Sequence, residues 1–309
     1  MEGGSRSVVV AALIANLGIT VAKFVGFLVT GAASMLAETV HSLADTGNQA
    51  LLLLGGSRAR QQATPEHPFG YGRERYFWAF VVAMILFSLG GLFAIYEGIE
   101  KLRHPHELES TAVAVGILLV AIVFESYALR KAVRHANAER GEQSWWRFLR
   151  RSKTPEIPIV LLEDAGAQIG LFVALAGVGL ARLTGDPRWD AAGSLTIGVL
   201  LVVIAVFLAI EMKSLLIGES ASPVDQAAIR STIEASPHVR RFLHLRTQHL
   251  GPEELLVGAK VQLDGNLTFA QVTAAINTIE RRLRDAMPEA RVVYIEPDVA
   301  TDADEAGRA

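Results

Sequence analysis

The chain has 309 residues, of which 51% are hydrophobic and 20% are charged, and its formal net charge is −3. So small a charge, with Lys and Arg placed in loops rather than on one face, excludes nucleic acid as an expected partner. The absence of Cys excludes disulfides, iron–sulfur clusters and thiolate metal sites, so that any bound metal must use nitrogen and oxygen ligands.

Six apolar blocks follow one another along residues 1–218, and each has about the 17–25 residues that a helix needs to cross a bilayer. We predict spanning helices within residues 7–30, 34–56, 76–102, 111–132, 158–183 and 191–216. The first block is not followed by a small-residue cleavage site, so we expect it to be a retained helix rather than a signal peptide. The sequence therefore predicts an α-helical membrane protein with a six-helix domain over residues 1–218.

Basic residues are distributed unevenly between the predicted spans. The connections after the second and fourth spans carry Arg58, Arg60, Arg73, Arg75, Arg130, Lys131, Arg134, Arg140, Arg147, Arg150, Arg151 and Lys153. The opposite connections carry only Lys101, Arg103, Arg182 and Arg188. The positive-inside rule then predicts a multi-pass protein of the cell (inner) membrane with both termini in the cytoplasm. Trp145 and Trp146, among these basic residues, suit a segment at the lipid headgroups, with a mobile loop as the alternative.

The composition becomes that of a soluble domain from about Glu219. We predict a helix over residues 223–235, strands over 240–250 and 254–264, a helix over 268–286 and a strand over 291–296. The second strand alternates, with Val257, Ala259, Val261 and Leu263 on one face, which predicts that this face is buried. The order α-β-β-α-β predicts an α+β domain of the ferredoxin-like kind over residues 219–298, and the acidic residues 299–309 are expected to form a disordered tail.

The second predicted span carries a stripe of polar residues at helical spacing: Glu38, His41, Asp45 and Asn48. An ionisable group inside a spanning helix costs about 2.5 kcal/mol or more and usually marks a transport pathway or a ligand site. His41 and Asp45, one turn apart, provide half of the ligands of a tetrahedral divalent cation. In the alternative, His41 only bonds a neighbouring helix, Glu38 lies at the interface and Asn48 serves helix packing.

The fifth predicted span supplies Glu163, Asp164 and Gln168. Adjacent residues on a helix point about 100° apart, so we expect only one of the two carboxylates to face an ion, and we favour Asp164. Three further ionisable residues in the predicted spans are isolated and receive no role: Lys23, Glu97 and Glu125.

Two motifs and their context carry a family resemblance. HSLAD at residues 41–45 on the second span, HPFGYGRER at residues 67–75, the acidic fifth span and the ferredoxin-like C-terminal domain resemble the cation diffusion facilitators over almost the whole chain. The sequence around these motifs is most similar to the zinc transporter nine-like branch of that family.

The resemblance implies a homodimer that is not an enzyme, that exports zinc or a similar cation in exchange for protons, and that has no organic cofactor. It also implies alternating access to a tetrahedral site formed by an HxxxD or DxxxD motif on each of the second and fifth spans. His41 and Asp45 match fully, whereas Asp164 is followed at the last motif position by Gln168. Glu163 together with Asp164, the Gln168 oxygen, or a water remain open as the completing ligand. Zinc is the first expectation, with manganese, cobalt, nickel or iron compatible.

At the family's additional metal sites, only some of the expected ligand positions carry a matching residue in this sequence. His67 matches a ligand position, but Tyr71 stands where a later His is expected, so we expect a weak site or none. In the C-terminal domain the remaining candidates are His244, His249 and Glu296, each with a solvated side chain as the alternative. We therefore expect a dimerisation domain with little or no metal sensing.

The resemblance places Arg73 and Glu219 where the family can form an ion pair between the third span and the end of the sixth. Two separate solvated charges are the alternative.

Proton exchange follows from ligand chemistry, because an imidazole must be neutral and a carboxylate ionised to hold a metal. A rival interpretation is an intramembrane metal-dependent hydrolase, but the sequence contains no HExxH motif. A second rival is a non-transporting membrane scaffold that dimerises through its C-terminal domain, which the altered fifth-span motif allows.

Overall fold

The computed structural model describes residues 33–104 and 111–299, together with positions 17, 18, 20, 21, 24, 25 and 28. The predicted first span is therefore described at only these seven positions, and the acidic tail beyond residue 299 lies outside the described residues. The chain forms two compact units, one from Met1–Ser57 and Arg75–Lys213 and the other from Arg58–Glu74 and Ser214–Ala309.

The first unit is helical. Its helices are α1 (Ala33–Arg58), α2 (Glu74–Ile85), α3 (Phe93–Arg103), α4 (Thr111–Arg140), α5 (Trp145–Arg151), α6 (Glu156–Thr184) and α7 (Arg188–Ile217). Among the described residues, the helices long and apolar enough to cross a membrane are α2–α3 taken together, α6 and α7. The predicted second and fourth spans correspond to the helices α1 and α4, and the total of six spans stays a prediction.

Helices α2 and α3 are joined by a π-helical segment, Leu86–Leu92, so that they form one continuous rod. Ser88 within the segment donates its hydroxyl to the carbonyl of Met84 at 2.8 Å. Wide turns of this kind occur as local insertions in α-helices and are frequent at functional sites. Gly91 in the segment lies so close to α7 that an added Cβ would be 2.6 Å from Val202 Cγ2.

Apolar contacts hold α4 and α6 together. One cluster consists of Leu118, Ala121, Leu171 and Val178, and a second contains Ala136, Phe148, Ile157 and Leu161. The segment that carries Trp145 and Trp146 is the helix α5. Its Phe148 belongs to the second cluster. The placement of α5 at the lipid headgroups stays a prediction.

The second unit contains α8 (Pro223–Glu234), β1 (Val239–Gly251), β2 (Glu254–Leu263), α9 (Phe269–Ala286) and β3 (Val292–Pro297). This is the predicted order α-β-β-α-β. The strands lie in the order β1-β2-β3, with β1 antiparallel to β2 and β2 parallel to β3. The parallel pair requires a crossover, which α9 provides.

Local sequence signals set the helix starts in this unit. Ser222 caps α8 by accepting the backbone N–H of Asp225, and Thr268 and Gln271 form a capping box at α9. The alternating residues of β2 are buried as predicted and pack against both helices in one core.

The connection between α1 and α2 belongs to the second unit rather than the first. Its Gly72 lies against the β1–β2 hairpin, where an added Cβ would be 2.7 Å from the carbonyl oxygen of Leu250. Real Cβ atoms do not approach backbone oxygen so closely, so glycine is required there for this contact.

Candidate metal centre

The polar stripe predicted for the second span lies on α1. Asp45 is half-buried and Asn48 is fully buried. The backbone of His41 belongs to this helix, whereas the side chains of His41 and Glu38 lie outside the described part of the structure.

A buried hydrogen bond joins α1 to α6. The Asn48 side-chain Nδ2 donates to Oε1 of Glu163 at 2.6 Å, and the two side chains are 0% and 7% exposed. Buried carboxylates need such donors, because an unsatisfied charge in a low dielectric is costly. Glu163 therefore faces α1 and is bound there by an amide.

Asp164 and Gln168 have different neighbours from Glu163. Asp164 is half-buried and lies within electrostatic range of Glu125, on α4, and of Glu163. Gln168 is buried, and its Oε1 accepts a hydrogen bond from the Ser126 hydroxyl at 3.2 Å. The amide oxygen proposed as a ligand is thus engaged by α4.

A cavity of about 160 Å³ lies in the helical unit. Asp45 and Glu125 line it, as does the α6 face from Gly166 to Val178, which corresponds to about 18 Å of helix at 1.5 Å per residue. Its remaining charged lining residues are Glu97, Lys101 and Asp190. The sequence assigned no role to Glu97 or Glu125, because the isolated position of each residue along the chain gave no sign of a shared cavity.

The described side chains do not assemble a complete ligand set. Within that part of the structure, no group of three or more His, Asp or Glu residues is arranged to hold a metal ion. The set remains incomplete without the His41 imidazole, and Glu163, Asp164 and Gln168 are absent from the described lining of the cavity. Glu125, one of the residues that line the cavity, lies within electrostatic range of Asp164.

The candidate in the α1–α2 connection is exposed. The His67 ring lies 4.6 Å from the Tyr71 ring, and its backbone N–H donates to the Thr64 hydroxyl. His67 and Tyr71 are therefore neighbours, as the family pattern of two ligand positions implies, but Tyr71 supplies a phenol in place of an imidazole.

Two of the C-terminal candidates, His244 and Glu296, are separated by the side chain of Lys260. On the exposed face of the sheet, Lys260 of β2 is paired in register with His244 of β1 and with Glu296 of β3. The Lys260 Nζ lies 3.1 Å from Glu296 and 2.9 Å from Asp298. An ammonium therefore stands between the imidazole and the carboxylate, where a shared metal would have to bind.

His249, Arg73 and Glu219 all lie in the second unit. His249 is buried, and its backbone N–H donates to the Glu219 carbonyl at 2.8 Å. The Arg73 Nε is buried and has no hydrogen-bond partner among the described residues. The ion pair between Arg73 and Glu219 stays a prediction.

Two consecutive segments of the chain match known protein families. Residues 9–217 match the model of the cation efflux transmembrane domain, and residues 221–298 match that of the cation efflux protein cytoplasmic domain. The human proton-coupled zinc antiporter SLC30A9, mitochondrial, is 34% identical over 86% of this chain and 47% of its own length. The chain thus spans about half the length of such curated relatives.

A bacterial relative is matched over most of its length. The cation-efflux pump FieF of Klebsiella pneumoniae (strain 342) is 25% identical over 94% of this chain and 91% of its own length. Among solved structures, a nickel form of the MamM C-terminal domain is 16% identical over 26% of this chain and 100% of that chain. Its TM-score with this chain is 0.25.

Proposed function

Because the chain belongs to the cation efflux family, a family of transporters rather than enzymes, we propose that it exchanges a divalent metal cation for protons across a membrane. Zinc is the proposed substrate, since proteins named as zinc antiporters are about one-third identical to it over 86% of its length. Manganese, cobalt, nickel and iron are compatible with oxygen and imidazole ligands and are the substrates to test beside it.

One observation carries the proposal. Asp45, one helical turn from His41, lines a cavity inside a helical unit in which three long helices, α2–α3 taken together, α6 and α7, are apolar enough to cross a bilayer. A carboxylate in that setting is costly unless it serves a ligand or a pathway. The cavity also carries Glu125, which lies within electrostatic range of Asp164 on α6.

We propose His41, Asp45 and Asp164 as the principal ligands. The contacts of the fifth-span residues suggest how the remaining position is filled. Glu163 is bound by Asn48, and Gln168 accepts from Ser126, so each must exchange a hydrogen bond for the metal if it is to become a ligand. A water is the completing ligand that requires no such exchange.

Exchange with protons follows from this ligand set. A metal binds the neutral imidazole and the ionised carboxylates, and proton binding to the same groups competes with it. With an ordinary pKa near 6.5, a histidine changes charge within the physiological range. Alternating access then moves metal one way and protons the other.

We also propose the placement of the chain. Residues 1–218 form the membrane domain with six spans, residues 219–298 a cytoplasmic domain of the ferredoxin-like kind through which two copies pair, and both termini lie in the cytoplasm of a cell with the protein in its inner membrane. The second unit and the match to a cytoplasmic domain support this division.

The experiment is metal flux in liposomes. The purified full chain is reconstituted with a pH gradient, and uptake of zinc, manganese, cobalt, nickel, iron and cadmium is followed together with internal pH. We expect zinc to move against protons and His41→Ala and Asp45→Ala to abolish both fluxes. Glu100→Gln serves as the matched control, since that carboxylate is exposed, pairs with His104 and is not among the residues that line the cavity.

Normal flux in both ligand variants would contradict the proposed site. A wild-type chain that neither transports nor binds any of the metals tightly would instead favour the membrane scaffold.

A further inference from the structure

Three charged side chains meet in the cavity away from the proposed ligands. The Lys101 Nζ lies 3.0 Å from Oδ2 of Asp190 and 3.2 Å from Oε1 of Glu97. The side chains are only 28%, 16% and 22% exposed, respectively, and all three line the cavity that contains Asp45. The ammonium thus bridges two carboxylates within the same enclosed space.

These charges lie at the opposite end of the cavity from Glu125. Along α6, the Glu125 end is marked by Asp164, which interacts electrostatically with it. The other end is marked by Gly177, whose added Cβ would be 3.4 Å from the Cα of Asp190. Thirteen residues of helix separate Asp164 from Gly177, or about 20 Å at 1.5 Å per residue. The Lys101 group is therefore a separate polar cluster on the same path.

The backbone holds the three groups in place. Glu97 and Lys101 are one turn apart on α3, and Asp190 lies in the first turn of α7, where a helix favours negative charge. Gly98 packs against α7 so closely that an added Cβ would be 2.9 Å from the backbone nitrogen of Leu195. Because α3 and α7 are in contact here, the carboxylates stay close even when the ammonium moves.

We infer that Lys101 sets the rate at which a divalent cation crosses this end of the cavity, by occupying Glu97 and Asp190 so that the cation is not retained between them. The inference rests on the proposed transport function. A path conducts only if each site is favourable enough to enter and weak enough to leave. Two partly buried carboxylates alone would hold a divalent cation, whereas the tethered ammonium reduces their combined charge from −2 to −1 and competes for the same oxygens.

A simpler structural role makes a different prediction. If the ammonium only joins α3 to α7, its loss leaves two carboxylates uncompensated and should lower stability, but the KM for zinc should not fall. If it competes with the metal, its loss should lower both the KM and the maximal rate, and removing the carboxylates as well should restore both.

The test measures zinc flux in liposomes that contain the full chain or one of three variants. For Lys101→Met we expect a maximal rate at least about tenfold lower together with a lower KM, since the cation now lingers at the carboxylates. Lys101→Arg keeps the charge and should stay within about threefold of the wild type. The triple variant Lys101→Met, Glu97→Gln, Asp190→Asn should recover most of the wild-type rate.

The outcomes separate the two hypotheses. If the wild type transports zinc and Lys101→Met transports it at the same rate, the proposed role of Lys101 is wrong and the transport function stands. The same holds if the triple variant is as slow as Lys101→Met. Absence of flux through the wild type would overturn the proposed function and this inference with it. A slower Lys101→Met with a higher KM would also contradict competition, because loss of the competing ammonium must strengthen retention.

Discussion

The amide nitrogen of Asn48 donates a 2.6 Å hydrogen bond to the carboxylate of Glu163, and this buried contact joins α1 to α6. Hydrogen bonds to charged groups are short and strong, and a carboxylate deprived of its donor in a dry site is costly. The contact also gives two adjacent acidic residues different surroundings, since it is Glu163 that accepts the hydrogen bond from Asn48.

Replacing Asn48 should therefore destabilise the helical unit. We expect Asn48→Leu to lower the free energy of unfolding by about 1–3 kcal/mol, because Glu163 loses a buried donor. Unfolding of the detergent-solubilised protein is the measurement. In a Glu163→Leu background the same substitution should cost much less, and equal costs in both backgrounds would mean that the two side chains are not coupled.

The two acidic residues of α6 should respond differently to neutralisation. We expect Asp164→Asn to weaken zinc binding by more than about tenfold, which corresponds to about 1.4 kcal/mol. Glu163→Gln should stay within about threefold of the wild-type affinity, since the contact with Asn48 keeps that side chain from the metal. Equilibrium titration of zinc into the solubilised chain distinguishes them, and the reverse order would assign the ligand to Glu163.

Glycine at position 198 is needed for the contact between α7 and α3. An added Cβ there would be 2.6 Å from Cγ1 of Ile95 and 2.9 Å from the carbonyl oxygen of Gly91. We expect Gly198→Ala to lower the free energy of unfolding by about 1–3 kcal/mol through overpacking. Gly179→Ala is the matched control, because no atom of the described residues outside its own helix backbone and chain neighbours lies within 4 Å of its added Cβ. It should be neutral or should stabilise the helix by about 0.5–1 kcal/mol, and similar losses in both variants would contradict the packing argument.

The row of residues across the sheet predicts a metal site that one substitution would create. Lys260 stands between His244 and Glu296 in register, and adjacent strands lie about 4.8 Å apart. We expect Lys260→His to bind one zinc ion more than the wild type, since it replaces the intervening ammonium with an imidazole. Titration monitored by calorimetry gives the stoichiometry. Adding His244→Ala should remove the extra ion, and its persistence would show that the row is not the site.

Glu289 gives the second unit a pH dependence. Partial desolvation of this largely exposed carboxyl, followed by the nearby carboxylates of Asp225 and Glu253, raises its pKa above the ordinary value of 4.5. A raised pKa means that the folded state favours the protonated acid. Ionisation of Glu289 therefore lowers the free energy of unfolding at a pH above its folded-state pKa, and this loss of stability disappears as pH falls below about 4.5.

We accordingly expect Glu289→Gln to raise the melting temperature at pH 7 by an amount equivalent to less than about 1 kcal/mol. The difference from the wild type should close in melts below pH 4.5. A stabilisation that persisted unchanged at low pH would have another cause.

Local patterns predicted the second unit well. The alternation of β2 placed Val257, Ala259, Val261 and Leu263 on the buried face, and the helix predicted over residues 223–235 is α8, which Ser222 caps. These features depend on near neighbours in sequence, such as the N–H that a helix start leaves unsatisfied or the two-residue period of a strand.

Partners across helices could not be predicted in the same way. Helical periodicity placed Asn48 on the stripe of His41 and Asp45, but it does not specify which residue of another helix each member meets. The contact of Asn48 with Glu163 and that of Lys101 with Asp190 depend on how the helices are arranged, which periodicity leaves open. The sequence shows that Gln168 departs from the motif. That the Ser126 hydroxyl donates a hydrogen bond to it depends on the packing of α4 on α6.

The close approach of Gly72 to Leu250 has a consequence for how the protein is made. The segment Arg58–Glu74 and the hairpin that it contacts belong to one compact unit, although the rest of the helical unit separates them in sequence. Contacts between such distant segments form late, because the intervening chain must be available first. During synthesis, residues 58–74 leave the ribosome well before their partner. They must remain in water without it until the β1–β2 hairpin has emerged.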